Sequence, residues 1–409
     1  MHIKQVSVVN YRSCLDSSWS PDPRLSVLIG PNGSGKTNLL SALRLLRALS
    51  NNPTPFSTAD ESTSAPSMIR TDYDIDGVQI SHTAKLDIVT NERNLDEIVK
   101  ANESWLVPSN SGRRKTIHFP SWVIGSLLEE KSRSRTPADQ RKSFLNWISA
   151  LNIEESTVNV LKKIAEFHRG ITYYSASQFT NPSNAPTYFE VEGKDLHRTG
   201  ISITGHKKLL FDIYQEYRNK SQAFNDFKDI IGPNGIGLVD NIAFEEIQSS
   251  SSSFSVKTGG KLIKREKTNL IVVPRIKISS SLLSPNQLSE GTFKTLALVF
   301  YLVTDKSSLL MIEEPEVCIH HGLLSSLVEL IKAYSIDRQT IVSTHSDSVL
   351  DRVELENLFS VRRTSDEGTK ISNIRKNMKG KNLKALRDYL TQDGNLGEYW
   401  KHGDLESLE

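Results

Sequence analysis

Cysteine is almost missing from the sequence, which contains only two, Cys14 and Cys318, far apart in the chain. Such sparse thiols exclude a disulfide framework and a cysteine-rich zinc site. An excess of charge is also missing, since 50 basic and 48 acidic residues leave a net charge of +2. Composition alone therefore does not indicate a nucleic-acid partner. No apolar run approaches the roughly 20 residues that span a bilayer, and the first residues lack a signal-peptide core. These absences predict a cytoplasmic protein with no membrane partner.

Recognisable patterns are concentrated towards the two ends of the chain. Near the first end, the short apolar run LSVLI at residues 25–29 precedes a glycine-rich turn and a helical pattern. Near the other end, SLLMI at 308–312 and QTIVS at 339–343 are typical of buried strands, with helical sequence between them. Alternating buried strands and helices predict an α/β fold with a mostly parallel core sheet covered on both faces.

The middle of the chain has weaker patterns. Residues 73–89 alternate as antiparallel strands do around an Asp76-Gly77 turn. Residues 123–169 and 206–231 are patterned as helices, and residues 253–279 as strands that turn at Gly259-Gly260. The serine run at 249–253 is typical of a loop. We therefore expect an antiparallel β subdomain and an inserted helical lobe.

The segment GPNGSGKT at residues 30–37 lies between the LSVLI run and the helical pattern. It matches G-x-x-x-x-G-K-[ST], in which backbone N–H groups surround phosphate oxygens at a helix N-terminus. The pattern predicts that Lys36 reaches the β- and γ-phosphates of ATP and that the Thr37 hydroxyl ligates Mg²⁺. A chance match is the alternative, which the strand before the loop and the helix after it disfavour. The other loop residues predicted to bind ATP are Gly30, Asn32, Gly33, Ser34 and Gly35.

Carboxylates and a histidine follow the two buried strands near the other end. IEEPE at 312–316 offers one carboxylate, Glu313, to hold Mg²⁺ through water and the next, Glu314, to polarise the attacking water. The alternative is that these glutamates are ordinary acidic residues in the loop that follows a strand. STHS at 343–346 places His345 where it could sense the γ-phosphate. The alternative for His345 is a surface histidine or one whose hydrogen bonds are satisfied in the core.

These segments, together with LSEGT at residues 288–292, occur in the order typical of ABC-type ATPases. The sequence resembles the RecF/SMC-like branch, including OLD-family ATPases and the stand-alone anti-phage ATPases of the Septu and PARIS systems. The resemblance covers both ends of the chain and only loosely its middle. It implies an ABC-type P-loop NTPase fold, ATP and Mg²⁺ as cofactors, and active sites shared by two copies of the chain arranged head to tail.

The resemblance assigns residues 288–292 to the signature loop of these ATPases. Ser289 and the backbone of Gly291 would then contact the γ-phosphate of ATP held by the other subunit. Without the resemblance, this stretch is only the polar start of a helix that Ser289 could cap.

Further roles follow from the same resemblance. Glu314 takes the position of the catalytic glutamate and His345 that of the switch histidine. Glu313 takes the metal-side position that is often Asp, one methylene shorter. Arg12, in the segment NYRS, matches an arginine that approaches the phosphates. Gln178 lies roughly where a Q-loop glutamine contacts Mg²⁺ or water, although a plain polar loop residue is an equal alternative.

The resemblance also suggests a division of the chain. The predicted ranges are an N-terminal ATPase lobe at 1–95, an inserted and mainly helical region at 96–250, a C-terminal ATPase lobe at 251–360, and a tail at 361–409 that is a candidate for partner docking.

Several functions are compatible with such an ATPase. The first hypothesis is a regulator of anti-phage defence that restrains a separate effector, such as an HNH or TOPRIM-like nuclease, because the segment after His345 lacks the acidic cluster of a nuclease. The second is a DNA-repair ATPase of the RecF kind, with DNA as its partner. Its basic surface would comprise Lys257, Lys261, Lys264, Arg265, Lys267, Arg275 and Lys277, for which a solvated strand face is the alternative. A transporter ATPase is disfavoured by the long insertion and the IEEPE run.

Overall fold

A computed structural model describes residues 1–51, 65–90, 96–109, 112–118, 154–192, 205–256, 262–317, 319 and 321–377. The chain forms two compact units. The first unit comprises Met1–Tyr174, Lys306–Pro315 and Ile331–Glu409, and the second comprises Ser175–Asp305 and Glu316–Leu330.

The described strands, in chain order, are β1 (Ile3–Tyr11), β2 (Cys14–Trp19), β3 (Leu25–Ile29), β4 (Ser67–Ile75), β5 (Val78–Thr90), β6 (Asp96–Pro108), β7 (Arg114–Ile117), β8 (Ile171–Ser175), β9 (Phe189–Glu192), β10 (Asn241–Val256), β11 (Leu262–Ile278), β12 (Ser281–Leu283), β13 (Leu309–Glu313), β14 (Gln339–Thr344), β15 (Leu358–Thr364) and β16 (Gly368–Asn373). The described helices are α1 (Lys36–Asn51), α2 (Glu155–Arg169), α3 (Gly205–Arg218), α4 (Gln222–Ile231), α5 (Glu290–Thr304), α6 (His321–Tyr334), α7 (Asp347–Leu350) and α8 (Ile374–Asn377).

The core sheet of the first unit has the strand order β16-β15-β3-β14-β13-β8. β13 and β14, β14 and β3, and β3 and β15 pair in parallel, whereas β15 and β16 are antiparallel. Every residue of β3 and of β14 is buried, as expected for central strands covered on both faces. The prediction of a mostly parallel core sheet is confirmed.

A second sheet of the first unit is antiparallel throughout, in the order β2-β1-β4-β5-β6-β7. β4 and β5 are joined at Asp76 and Gly77, whose φ angles of 54° and 81° are those of a two-residue hairpin turn. The expected antiparallel subdomain and its turn are therefore confirmed.

Helices α1 and α2 are joined to this sheet by a buried polar contact. His168 at the end of α2 lies 2.5 Å from the Tyr73 hydroxyl of β4 and 3.2 Å from the Ser50 hydroxyl of α1. Burial, and then the neighbouring His82, hold the pKa of His168 well below its usual value, so the ring is neutral. The contact fixes the far end of α1, the helix that begins at the phosphate loop.

The second unit combines helices with a four-stranded sheet in which β10, β11 and β12 follow one another and β9 also pairs with β11. Its interior is rich in aromatic rings, such as Phe227 of α4 and Phe300 of α5, whose centroids are 5.3 Å apart. The helical pattern at 206–231 is confirmed by α3 and α4. Of the pattern at 123–169, α2 covers the end, and residues 123–153 lie outside the described part.

The serine run at 249–253 was wrongly expected to be a loop. It belongs to β10, which pairs with β11 in continuous register from Asn241 opposite Lys277 to Val256 opposite Leu262. Pairing along a whole partner strand outweighs the weak strand preference of serine. The predicted turn at Gly259-Gly260 lies outside the described residues.

The structure also divides the chain differently from the predicted ranges. The boundary at 95 separates β5 from β6, which pair with each other, so residues 96–108 belong to the antiparallel sheet of the first unit rather than to a helical insertion. The boundaries at 250 and 360 fall within β10 and β15. Because hydrogen-bonded strands form one folding unit, none of these positions is a break in the fold. The start of the predicted tail contributes β16 to the core sheet.

Among the residues whose structure is described, no helix is long and apolar enough to cross a membrane.

Candidate nucleotide site

The loop between β3 and α1 is closely packed against other elements of the first unit. Gly35 has a φ of +104°, and a Cβ there would lie 2.1 Å from Thr369 Oγ1 and 2.8 Å from Ser13 Oγ. A Cβ on Gly30 would lie 2.1 Å from the carbonyl oxygen of Val361. Only glycine fits such contacts. The β1–β2 turn and the β15–β16 hairpin therefore hold the loop in place.

Hydrogen bonds reinforce this packing. The hydroxyl of Thr369, a fully buried residue of β16, donates to the carbonyl oxygen of Ser34 at 3.0 Å and lies 2.8 Å from Ser13 Oγ. Asn38 in the first turn of α1 donates to Ser13 Oγ at 2.6 Å. Thr369 and Ser13 thus link the loop to two distant parts of the chain. Sequence reasoning missed both, and Thr369 has no local motif that could have identified it.

Lys36 is the first residue of α1 and lies almost entirely out of solvent. Its Nζ donates to the carbonyl oxygens of Gly30 and Pro31 at 2.7 and 3.1 Å and lies 3.4 Å from His345 Nδ1. A cation at a helix N-terminus adds to the positive end of the helix dipole, and both favour an anion.

Glu313, the last residue of β13, lies between two hydroxyl groups. Thr37 of α1 donates to its Oε1, and Tyr173 of β8 donates to its Oε2. The predicted pair of magnesium ligands, Thr37 and Glu313, is therefore in direct contact. Tyr173 was not predicted.

Glu314 and His345 form a second pair at the ends of neighbouring strands. His345 Nε2 lies 2.7 Å from Glu314 Oε1, and His345 Nδ1 lies 3.1 Å from the carbonyl oxygen of Gly30. Glu314 donates its backbone N–H to Ser343 at 2.9 Å and has a φ of 47°. A non-glycine residue in the left-handed region costs on the order of 1 kcal/mol and is found disproportionately at functional sites.

The contacts of His345 allow two protonation states. In the neutral form, Nε2–H donates to Glu314 while Nδ1 accepts from Lys36. In the imidazolium form, both ring nitrogens donate, to Glu314 and to Gly30. The ring therefore connects the carbonyl of Gly30 in the phosphate loop with the carboxylate of Glu314 in either state.

These residues fit ATP with Mg²⁺. The hydroxyl of Thr37 and the carboxylate of Glu313 are hard oxygen donors, which Mg²⁺ prefers. Ser34 Oγ is buried in the loop and has no hydrogen-bond partner within the described part of the chain. An exposed loop edge at Asn32 and Gly33 leaves room for a ligand.

Arg12, a predicted phosphate ligand, lies beside the first turn of α1. Its guanidinium donates to Asp96 Oδ2 at 3.0 Å and to Asn38 Oδ1 at 3.4 Å. Burial alone would raise the pKa of Asp96, but hydrogen bonds from Tyr11, Arg12 and Thr90 hold it below its usual value. Asp96 is thus a carboxylate partner for Arg12 that sequence reasoning missed.

The remaining predicted residues belong to the second unit. Ser289 caps α5, accepting a hydrogen bond from the backbone N–H of Thr292 at 3.2 Å. The carbonyl of Gly291 accepts from Thr295 Oγ1 at 2.8 Å. Gln178 is exposed in a short 3₁₀ turn. Ser289 is thus a helix cap, while the phosphate contacts of Ser289 and Gly291 and the metal contact of Gln178 stay predictions.

Residues 25–351 match the sequence profile of the family described as "AAA domain, putative AbiEii toxin, Type IV TA system". The match spans both units and contains the phosphate loop, the Glu313–Glu314 pair and His345. The chain belongs to this family. This AAA-domain protein is accordingly an ABC-type member of the P-loop ATPases, as its motifs predicted, and the P-loop family implies a nucleotide.

The AAA-domain protein also matches curated RecF proteins over a short segment. It is 46% identical over 46 residues to the DNA replication and repair proteins RecF of Azotobacter vinelandii and Pseudomonas fluorescens. The match covers 11% of this chain and 13% and 12% of those proteins. This short match confirms the predicted resemblance to RecF-like ATPases. Most of the length of these relatives is unmatched.

Solved structures of SMC head domains are similar at low identity. The SMC head bound to the C-terminal winged-helix domain of ScpA is 14% identical, with a TM-score of 0.48 over 92% of this chain and 100% of that chain. The SMC head domain from Thermotoga maritima is 12% identical, with a TM-score of 0.42 over 91% of this chain and 99% of that chain.

The contact between Thr369 and Ser34 predicts an effect far from the P-loop in sequence. Thr369→Val keeps the shape of the side chain but leaves the Ser34 carbonyl without its donor, so we expect ATP affinity to fall about 5- to 30-fold, the equivalent of 1–2 kcal/mol. Titration with a fluorescent ATP analogue measures this change.

Two variants control this experiment. Thr369→Ser retains the hydroxyl and should bind ATP nearly as the wild type does. Thr364→Val changes an exposed threonine of the same hairpin and should have no effect. Wild-type affinity in Thr369→Val would show that the hydrogen bond does not organise the loop.

Proposed function

We propose that this protein binds and hydrolyses ATP and uses the nucleotide to switch between separate and dimeric states. The convergence of Lys36, Thr37, Glu313, Glu314 and His345 within one unit supports the proposal most strongly. Three elements of phosphoryl transfer are represented there: a cation for the phosphates, oxygen ligands for the metal, and a carboxylate beside a histidine for the water.

Each residue has a role in the proposed reaction. Lys36 and the first N–H groups of α1 bind the β- and γ-phosphates. Thr37 and Glu313 would hold Mg²⁺, which when bound neutralises charge developing on the phosphate oxygens. Glu314 orients the attacking water and accepts its proton, and His345, bound to Glu314 Oε1, holds that carboxylate in position and lies next to Lys36.

Two substitutions test binding and chemistry separately. Lys36→Ala removes the cation of the loop and should abolish tight ATP binding. Glu314→Gln keeps the shape of the side chain and loses its basicity, so ATP should bind and persist while phosphate release falls about 100-fold or more. Wild-type turnover in Glu314→Gln would assign the catalytic role elsewhere, with Glu313 the next candidate. Unchanged affinity in Lys36→Ala would refute the site.

The switch requires that Ser289 and Gly291 of one copy contact ATP bound by the other. Ser289→Arg should then leave ATP binding intact and stop hydrolysis, because a bulky cation occupies the γ-phosphate contact and separates the subunits. In mixed dimers of Ser289→Arg and Lys36→Ala, one site carries both changes and the other carries neither. Partial recovery of phosphate release is therefore expected.

The outcomes of the mixing experiment differ clearly. A Ser289→Arg monomer with normal turnover would eliminate the shared site. Mixed dimers that form but remain as inactive as both parents would argue either that the two sites act together or that the signature loop does not act in trans.

We further propose that the switch regulates an anti-phage defence system and restrains a separate effector, such as an HNH or TOPRIM-like nuclease. The family description, which names a toxin of a type IV toxin–antitoxin system, supports this role. Expression of the gene with its genomic neighbours, followed by co-purification and by phage challenge of Glu314→Gln and wild-type cells, tests it. Equal phage sensitivity with and without the gene would oppose it.

DNA repair is the second candidate, and the match to RecF favours it. RecF-like action on DNA requires phosphate contacts, so affinity for bare duplex DNA should fall steeply with salt. Replacing Arg275 and Lys277 of β11 with Gln should then weaken binding. DNA affinity that does not depend on ATP, salt or these residues would count against this candidate.

A further inference from the structure

Glu313, the last residue of β13, has a side chain one methylene longer than that of an aspartate. In this structure the longer side chain contacts hydroxyls from two different elements, Thr37 of α1 and Tyr173 of β8. Removal of one methylene would withdraw the carboxylate by about 1.5 Å, too far to keep both hydrogen bonds. A glutamate side chain at position 313 is therefore long enough to contact both hydroxyls, whereas an aspartate side chain is not.

The ring of Tyr173 is held in place independently of Glu313. The guanidinium of Arg44 in α1 lies over the ring, 4.5 Å from its centroid. The beginning of β8 is fixed as well, since Gly170 O accepts from Ser308 N at 2.9 Å and Ile171 O accepts from Arg47 at 2.7 Å. Tyr173 thus presents its hydroxyl from a constrained position rather than from a mobile side chain.

We propose that Tyr173 is a positioning residue of the magnesium site and that its hydroxyl orients the Glu313 carboxylate. A carboxylate only accepts hydrogen bonds, so the phenol must be the donor. Its bond to Oε2 holds Oε1 beside the Thr37 hydroxyl, the two oxygens that would hold Mg²⁺. The inference rests on the proposed function, because it assigns a residue to that same site.

A residue that donates a hydrogen bond to a metal ligand fixes the orientation of that ligand before the metal binds. Loss of such a partner typically weakens metal affinity or activity about 10- to 100-fold. A purely structural role for Tyr173 would instead depend on its ring, which packs under Arg44. Replacement by phenylalanine separates the two, because it keeps the ring and removes only the hydroxyl.

The test measures binding of a fluorescent ATP analogue while Mg²⁺ is titrated, without reference to turnover. Tyr173→Phe should bind the analogue in EDTA as the wild type does. The Mg²⁺ concentration that gives half of the metal-dependent gain in affinity should rise about tenfold or more. Tyr174→Phe alters the neighbouring buried tyrosine and should leave this concentration unchanged. The same Mg²⁺ dependence in Tyr173→Phe and wild type would overturn the proposal.

A double-mutant cycle tests whether the effect passes through Glu313. Glu313→Asp should raise the half-saturating Mg²⁺ concentration by itself, and adding Tyr173→Phe should raise it little further, since the shortened side chain has already lost the phenol. Additive effects would overturn the proposed contact. If the wild type has no Mg²⁺-dependent nucleotide binding, the proposed ATPase function itself fails, an outcome distinct from a normal wild type with an unaffected Tyr173→Phe.

Discussion

The parallel register of three strands is the constraint on which the candidate site depends. Ile29 of β3 pairs with Thr344 of β14, and Ser343 of β14 pairs with Glu313 of β13. The residues that follow, Gly30, His345 and Glu314, therefore leave the sheet at one edge. A shift of one residue would turn every alternating side chain to the opposite face and separate His345 from Gly30 and Glu314.

Much of this site could be predicted because its residues lie in short segments directly after apolar strands. The phosphate loop, the two glutamates and His345 each carry a local pattern, and the parallel sheet brings their ends together. Thr369, Asp96 and Tyr173 carry no such pattern. Their roles arise from side-chain contacts between parts of the chain that are distant in sequence, and the pattern of one segment does not reveal such contacts.

The same distinction between local patterns and distant contacts explains the errors in the fold prediction. Ser249–Ser253 has little intrinsic strand preference, and only its partner strand makes it part of β10. The boundary at residue 95 was suggested by the resemblance, whereas β5 and β6 are joined by hydrogen bonds across it. In both cases tertiary pairing outweighs a local signal. In contrast, the Asp76-Gly77 turn was predictable because its geometry depends on those two residues themselves.

Glu314 combines an unfavourable backbone conformation with a polar network. Its left-handed φ is maintained by the hydrogen bond from its own N–H to Ser343 and by the contact of its carboxylate with His345. These contacts thus maintain a slightly unfavourable backbone conformation at Glu314, the residue proposed to orient the attacking water. The same imidazole ring, that of His345, contacts both the Gly30 carbonyl of the loop and the Glu314 carboxylate.

The contacts of Thr369 have a practical consequence for work on fragments of this protein. The family match ends at residue 351, but the hairpin that holds the phosphate loop extends to Asn373. A fragment cut at the end of the family match would contain all the recognisable motifs and still lack Val361 and Thr369, against which Gly30 and Gly35 pack. Its P-loop would lose one wall, so low nucleotide affinity in such a fragment would say little about the intact chain.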